Sequence, residues 1–261
     1  MVDDFGIGIE KGVHGRQWHA VHDGYFADPE VVLPFLDTIS HEILKCTPNV
    51  VADLGGGTGF VLSELAKRHP EAPIKYINVD ISTKQLCECK YNVITSLQVS
   101  ATDITRGALV NDGGSLMFIM RSLLHYLGYH GVTPFLKHLR AQMKPGETMI
   151  HQTACFGSYE EADCVNHLYA LMRTGKWYPI VKSLTQILNK TGWQVVDCKP
   201  APNLCLKSAE LAKRYNLSAE DIARIRKEIG QKHNETTVFV PVGSNFNAFL
   251  QYRIFTCRAK S

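Results

Sequence analysis

A glycine-rich loop between an apolar strand and a helix is the part of this sequence that points most directly to chemistry. The apolar segment Val50–Ala52 leads into Asp53, and glycine then recurs at every second position, at Gly55, Gly57 and Gly59. Residues without a Cβ can adopt positive φ and let a ligand approach the backbone closely. The following helix directs its N-terminal amides toward negative groups. The loop therefore predicts a site for a small ligand lying on the backbone.

The spacing of the glycines separates two classes of nucleotide ligand. A dinucleotide fingerprint reads G-x-G-x-x-G, and counted from Gly55 its last position is Phe60, which disfavours a nicotinamide dehydrogenase. The pattern D-x-G-x-G-x-G that begins at Asp53 resembles motif I of the class I S-adenosylmethionine (SAM)-dependent methyltransferases. This resemblance implies that the chain binds SAM, transfers its methyl group and releases S-adenosylhomocysteine.

The resemblance also implies a contact for each part of SAM. Asp80, 21 residues after Gly59, is placed to hold the ribose diol, and Asp103 with the backbone N–H of Ile104 is placed to hold the adenine. Asp53 is implied to organise the loop and reach the methionyl amine. The predicted cofactor-binding residues are Asp53, Gly55, Gly56, Gly57, Asp80, Ile81, Asp103, Ile104, Arg121 and Ser122. A structural ion-pair role for Arg121 is an open alternative.

Two histidines are the candidate catalytic residues. Methyl transfer is an in-line displacement at an activated sulfonium, so the protein mainly positions and desolvates the nucleophile. A base is needed only when the acceptor must lose a proton. His125 lies in an R-x-x-L-H stretch similar to that of small-molecule methyltransferases, and His151 ends the fifth predicted strand. A structural role for His125 and a substrate-orienting role for His151 are the alternatives.

Aromatic and polar residues on the predicted caps are candidates for binding the acceptor, because such rings can line an apolar or cation-binding pocket. The predicted substrate-binding residues are Trp18, His22, Tyr25, Tyr126, Gln152, Trp177 and Tyr178. The alternative for the cap residues is that each packs a cap onto the domain; these are Trp18, His22, Tyr25, Trp177 and Tyr178. His19 and His22 could share a helical face, but no third ligand accompanies them, so we expect no metal ion.

Alternating strands and helices must position these residues, which is the pattern of an α/β fold. Strands are predicted at Val50–Asp53, Ile74–Val79, near 94–100, and at Leu116–Met120, 147–153, Trp193–Cys198 and Asn247–Cys257. Helices are predicted at 58–69, 82–92, from Thr133 with Pro134 at its first position, at 180–191 and at Ser218–Lys232. The resemblance implies a seven-stranded, mostly parallel sheet of order 3-2-1-4-5-7-6 with helices on both faces.

The predicted organisation is a helical cap over residues 1–45 and a SAM-binding domain over 46–261, with lid insertions at 154–179 and 199–245. Strands 5 and 6 are expected to be parallel, so both insertions leave the sheet at the edge where ligands bind. The resemblance places the N-terminal cap at the same edge, so three elements would cover one mouth. An enclosed mouth favours a small-molecule acceptor over a duplex or a protein surface.

The composition limits the partners. The 261 residues are 45% hydrophobic and 20% charged with a net charge of +3, and no basic tract indicates nucleic acid or a membrane surface. No secretory signal is visible, so we expect a cytoplasmic protein whose eight cysteines are reduced. A nucleic-acid or protein methyltransferase and a non-catalytic SAM-binding regulator are the alternative functions. The oligomeric state, a homodimer included, is left open.

Overall fold

The computed structural model describes residues 22–261. Eight strands form one sheet: β1 Val50–Leu54, β2 Lys75–Asp80, β3 Ile94–Gln98, β4 Leu116–Arg121, β5 Thr148–Ala154, β6 Trp193–Lys207, β7 Phe239–Val242 and β8 Asn245–Ala259. The helices of this part of the chain are α1 Pro29–Cys46, α2 Phe60–Arg68, α3 Thr83–Cys87, α4 Arg106–Leu109, α5 Gly128–Ala141, α6 Tyr159–Leu171, α7 Val181–Lys190, α8 Ser208–Tyr215 and α9 Ala219–Lys232. A 3₁₀ turn, Leu124–Leu127, precedes α5.

The sheet has the predicted mostly parallel arrangement with one strand more than expected. Its order is β3-β2-β1-β4-β5-β8-β6, and the short β7 pairs only with β8. Strands β1 to β5 pair in parallel, whereas β8 runs antiparallel to both β5 and β6. The strand expected to be the seventh is therefore the eighth. The α/β class is confirmed, and the predicted count of seven is corrected by the hairpin of β7 and β8.

The central strands are apolar along their whole length because both of their faces are covered. Every residue of β1 and β5 is buried, as is typical of parallel strands between two helical layers. On one face the fully buried Trp193 packs near α5 and donates its indole N–H to the Leu136 carbonyl at 3.0 Å. On the other face α1 buries Phe35 and Leu36. The two layers fix the carboxyl ends of β1, β2 and β4 at one edge.

Three predicted boundaries are wrong. The helix predicted over 82–92 is α3, which already ends at Cys87. The helix expected to start at Thr133 begins at Gly128, so Pro134 lies inside α5. A continuous apolar stripe that includes Val132 and Phe135 holds that helix on the sheet, and this burial outweighs the local Thr-Pro start signal. Strand β6 was expected to end at Cys198 and instead continues to Lys207, with register shifts in its pairing to β8.

The lid insertions contain real secondary structure. Residues 154–179 contain α6, and residues 199–245 contain the end of β6, α8, α9 and β7. The predicted start of α9 is confirmed, because Ser218 and Asp221 form a reciprocal capping box. The stripe of isoleucines on α9 that includes Ile225 is buried in a hydrophobic cluster with the lid helices. Of the helices in residues 22–261, none is long and apolar enough to cross a membrane.

Candidate active site

A cavity of about 380 Å³ opens where β1, β2 and β4 end. The residues that line it are Phe26, Ala27, Asp53, Gly55, Gly56, Gly57, Thr58, Phe60, Val61, Val79, Asp80, Ile81, Ser82, Gln85, Ser100, Ala101, Thr102, Arg121, Ser122, Leu123, Tyr126, Leu127 and Phe135. All the predicted cofactor residues except Asp103 and Ile104 are in this set. The cavity therefore brings together the glycine loop and two of the three predicted carboxylates.

The glycine loop forms one wall of the cavity, and its conformation needs glycine. Gly55 and Gly57 have φ of +71° and +57°, a region that residues with a Cβ rarely adopt. At Gly56 the constraint is space, because a Cβ there would lie 2.4 Å from Oδ1 of Asn78. The Asn78 side chain also donates to the Gly57 carbonyl at 2.9 Å. Strand β2 thus supports the loop through the Asn78 side chain.

Asp80, the last residue of β2, is fixed between the loop and the next helix. Its Oδ2 accepts the N–H of Gly57 at 3.0 Å, and its Oδ1 accepts the N–H of Ser82 at 2.7 Å. An ionised carboxylate has about four acceptor positions, so each oxygen can still accept a further hydrogen bond. The carboxylate is preorganised to accept from two neighbouring hydroxyl groups on a ligand in the cavity.

Asp53 is a buried carboxylate with an orphaned oxygen. Its Oδ1 has no hydrogen-bond partner in the described chain. Burial, and after it the nearby Asp80 carboxylate, raise the pKa of Asp53 to about 7. The Arg121 guanidinium opposes this rise. A cation that comes close favours the anion of such a carboxyl group. The cavity therefore offers a position for a positively charged ligand group at Asp53.

Arg121, at the end of β4, lines the cavity and also holds the segment that precedes α1. Its Nη1 donates to the Phe26 carbonyl at 3.0 Å, and its Nη2 donates to the Tyr25 carbonyl at 3.4 Å. The guanidinium carbon lies 5.4 Å from the ring centroids of both Tyr25 and Phe26. The Nε of Arg121 is buried and makes no hydrogen bond to the described residues.

These groups fit SAM. The unpartnered oxygen of Asp53 can accept the ammonium of a methionyl group, and the unpartnered Nε of Arg121 can donate to its carboxylate. Asp80 can hold a ribose diol, and the glycine loop admits a ligand against the backbone. The alternative for Arg121 was a structural ion-pair role. In the structure its hydrogen bonds go to backbone carbonyls instead, and it forms no ion pair with the described residues.

The adenine end differs from the prediction. Ser100, Ala101 and Thr102 line the cavity, whereas Asp103 and Ile104 do not. Asp103 is exposed and accepts the Thr102 hydroxyl at 3.3 Å. Ile104 is buried, with its carbonyl hydrogen-bonded to His138 of α5. The residues just before the predicted pair therefore line the cavity instead. In the sequence, only their position directly after β3 could have indicated this.

Neither candidate catalytic histidine lines the cavity. His151 is fully buried, stacks on Phe255 with ring centroids 5.0 Å apart, and hydrogen-bonds the Thr153 hydroxyl at 2.8 Å. Burial lowers its pKa to about 3, so it is neutral and weakly basic. His125 is buried in the 3₁₀ turn and stacks on Tyr178 at 5.3 Å. Their placement argues against the predicted catalytic roles, because neither touches the space for the reactants.

The predicted acceptor-binding residues separate into one that lines the cavity and several that lie behind it. Tyr126 is in the wall. The Lys176 ammonium lies 4.6 Å from its ring centroid, and the Arg214 guanidinium donates to its hydroxyl at 3.3 Å. The Tyr25 hydroxyl accepts the side-chain amide of Gln152 at 3.4 Å, away from the cavity wall.

The other predicted acceptor-binding residues are also outside the wall. His22 hydrogen-bonds Glu210 at 2.9 Å, and burial lowers its pKa. Trp177 and Tyr178 pack onto the 3₁₀ turn, where the Trp177 N–H donates to the His125 carbonyl at 3.2 Å. Trp18 lies outside the described residues. Sequence reasoning missed the wall residues Phe26, Ala27, Gln85 and Phe135, which carry no motif that could have singled them out.

Comparison with known proteins agrees with this site. Residues 51–146 match a family model described as a methyltransferase domain. No curated protein is similar enough in sequence to match the chain.

Solved structures share the fold at low identity. The Burkholderia thailandensis 1,6-didemethyltoxoflavin-N1-methyltransferase, solved with 1,6-didemethyltoxoflavin and S-adenosylhomocysteine, is 12% identical with a TM-score of 0.57, covering 100% of this chain and 91% of that one. A SAM-dependent methyltransferase from Geobacter sulfurreducens, also with S-adenosylhomocysteine, is 14% identical with a TM-score of 0.54, covering 96% and 98%. A Haemonchus contortus phosphoethanolamine N-methyltransferase is 14% identical with a TM-score of 0.51, covering 93% and 58%.

Proposed function

We propose that this SAM-dependent methyltransferase transfers its methyl group to a small organic acceptor in an enclosed pocket. The class of enzyme and its cofactor follow from the matched domain and from the fold shared with methyltransferases solved with S-adenosylhomocysteine. The observation that carries the acceptor class is the roof of the cavity. Phe26 and Ala27 from the segment before α1 and Tyr126 from the 3₁₀ turn face the cofactor residues across about 380 Å³. A cavity of this size with such a roof suits a small acceptor.

Bound SAM supplies a methyl group on an activated sulfonium, and the chain supplies position and desolvation. Asp53 accepts the methionyl ammonium, Arg121 faces the methionyl carboxylate, and Asp80 accepts the ribose hydroxyls. The rings of Phe26 and Tyr126 exclude water from the side on which an acceptor enters, which strengthens the electrostatic interactions inside.

The proposed acceptor atom is one that attacks without a protein base. No imidazole of residues 22–261 lines the cavity, and the ionisable side chains of its wall are Asp53, Asp80, Arg121 and Tyr126. A neutral amine nitrogen has a free lone pair and loses its proton after attack. Two of the structural neighbours are named as N-methyltransferases, which supports nitrogen as the acceptor atom to examine first.

The test is methyl transfer from SAM with a labelled methyl group to fractionated cell extract. We expect label in the fraction of small molecules, with amines among the labelled products. The matched control is Asp53→Asn, which removes the anion expected to hold the methionyl ammonium. Label only in RNA or protein contradicts the small-molecule proposal. Binding of SAM without label in any fraction favours a regulator that transfers nothing.

The remaining parts of the proposal concern location and partners. We place the protein in the cytoplasm, because all eight cysteines are free and none forms a disulfide. The pocket requires no nucleic acid and no membrane. Fractionation of cells that express the full chain tests the location directly.

A further inference from the structure

We infer that Arg121 couples the methionyl end of the cofactor to the position of residues 22–27, here called the entry segment. This inference rests on the cofactor contacts of the proposed function. It adds that one guanidinium contacts both the cofactor and the entry segment. A bound ligand with an amino-acid group then fixes the entry segment over the cavity, and a ligand without that group does not.

The entry segment follows a strained backbone path that contacts from other segments hold. His22, Asp23 and Gly24 all have positive φ, of 56°, 54° and 80°. Within the segment, the Tyr25 N–H donates to the His22 carbonyl at 3.1 Å and the Ala27 N–H to the Gly24 carbonyl at 2.8 Å. Residues other than glycine are strained at positive φ. Contacts from outside must therefore help to hold this path.

Arg121 provides that hold from β4. It reaches two consecutive carbonyls, those of Tyr25 and Phe26, and its guanidinium lies against both rings at 5.4 Å. A guanidinium is planar and its donors have a fixed geometry. A partner at Nε therefore sets the plane in which the two Nη groups meet the entry segment. Other external contacts are the Tyr25 hydroxyl, which donates to the Pro202 carbonyl at 2.6 Å, the His22–Glu210 hydrogen bond at 2.9 Å and the Lys207–Asp23 ion pair at 2.7 Å.

The Nε of Arg121 is the guanidinium nitrogen left for the cofactor. Arg121 lines the cavity, and its Nε is buried without a hydrogen bond from the described residues. Asp53 interacts with it electrostatically and carries an orphaned oxygen of its own. A zwitterion supplies a partner to each: its carboxylate to Nε, its ammonium to Asp53. Because the same guanidinium holds the carbonyls of the entry segment, filling Nε makes that hold rigid.

The consequence is an order of events. Phe26 and Ala27 of the entry segment are part of the cavity wall. Filling the methionyl end therefore fixes in place the part of the wall that meets the acceptor. The cofactor binds first, and the acceptor binds to a surface that the cofactor has finished. Arg121 is a positioning residue in this scheme.

Hydrogen exchange of the entry segment tests the coupling on the full chain. The probes are S-adenosylhomocysteine and 5′-methylthioadenosine, which share adenosine and sulfur but differ in the amino-acid group. We expect the Tyr25 and Ala27 amides to exchange at least about tenfold more slowly with saturating S-adenosylhomocysteine, which corresponds to about 1.4 kcal/mol. Saturating 5′-methylthioadenosine should leave their exchange unchanged. Equal protection by both, or by neither, overturns the inference.

Two variants separate Arg121 from the rest of the fold. Arg121→Lys keeps a charge but loses the planar set of donors. We expect it to bind S-adenosylhomocysteine more weakly and, at saturating ligand, to leave the entry segment unprotected. Tyr25→Phe removes the bond to Pro202 but keeps the Tyr25 carbonyl, and protection should persist. Protection retained in Arg121→Lys contradicts the coupling. Calorimetry shows which idea fails: absent binding of S-adenosylhomocysteine to wild type contradicts the proposed function, whereas binding without selective protection contradicts only the coupling.

Discussion

Replacing Asp53 with asparagine should make the protein more stable and less able to bind its cofactor. The carboxyl group is buried at the end of β1, and its pKa is about 7 against an ordinary value of 3.8. Ionising it in the folded protein therefore costs about 4 kcal/mol relative to the unfolded chain, as an upper bound. Asparagine has nearly the same shape and cannot ionise. The variant should lack this cost.

The sign follows from the direction of the pKa. Between pH 4 and 7 the folded state holds the Asp53 proton while the unfolded state has released it, so the wild-type free energy of unfolding falls as pH rises through this range. Above pH 7 the whole cost is present. The difference between Asp53→Asn and wild type should therefore be near zero at pH 4 and reach about 2–4 kcal/mol at pH 8.

Urea unfolding at a series of pH values measures this difference. Asp112→Asn, at an exposed position, is the matched control and should leave the pH dependence unchanged. The reasoning is refuted if Asp53→Asn is no more stable than wild type at pH 8, or if both proteins lose stability equally between pH 4 and 7.

The remaining predictions concern the ligand. S-adenosylhomocysteine should bind wild type about tenfold more tightly at pH 8 than at pH 6, because the anion of Asp53 that meets the ammonium rises from about one tenth to about nine tenths of the molecules; calorimetry that finds a flat profile contradicts this. Asp80→Ala should weaken binding about tenfold to a hundredfold through loss of a charged hydrogen bond, whereas unchanged affinity in a folded variant removes Asp80 from the site. Gly56→Ala should abolish binding while circular dichroism stays near wild type, because its Cβ would lie 2.4 Å from Asn78. His151→Gln should leave cofactor affinity and the rate of methyl transfer within about twofold of wild type, since the imidazole does not line the cavity; a tenfold slower but equally stable variant would restore its catalytic role.

The parts of the site that could be predicted are those that the local sequence determines. The glycine loop and Asp80 lie directly at strand ends, where the parallel sheet fixes the backbone, so their positions follow once the strands are placed. Asp103 lies five residues beyond β3, and there the path of the loop decides which side chains face inward. That path turned Ser100 and Thr102 toward the cavity instead. No periodicity in the sequence reports it.

Long-range contacts were the other limit. Arg121 was recognised as a residue with two possible roles, but its partners are 95 and 96 positions away in the entry segment. His151 looked accessible because it ends a strand, yet β8 covers it with Phe255, more than 100 residues later. The same strand extends β6 beyond its predicted end. Each of these outcomes depends on which distant segment packs there, which local propensity does not encode.

The continuation of β6 has a consequence for how the protein behaves at high concentration. This strand is the outermost on its side of the sheet, and a bare outer strand can recruit a strand from another molecule and start aggregation. Pro200 and Pro202 lie two residues apart within it, so at both positions the backbone has no N–H to offer an incoming chain. The irregular register around Ala201 also prevents a flat ladder. The two prolines thus protect the sheet from growing by intermolecular pairing.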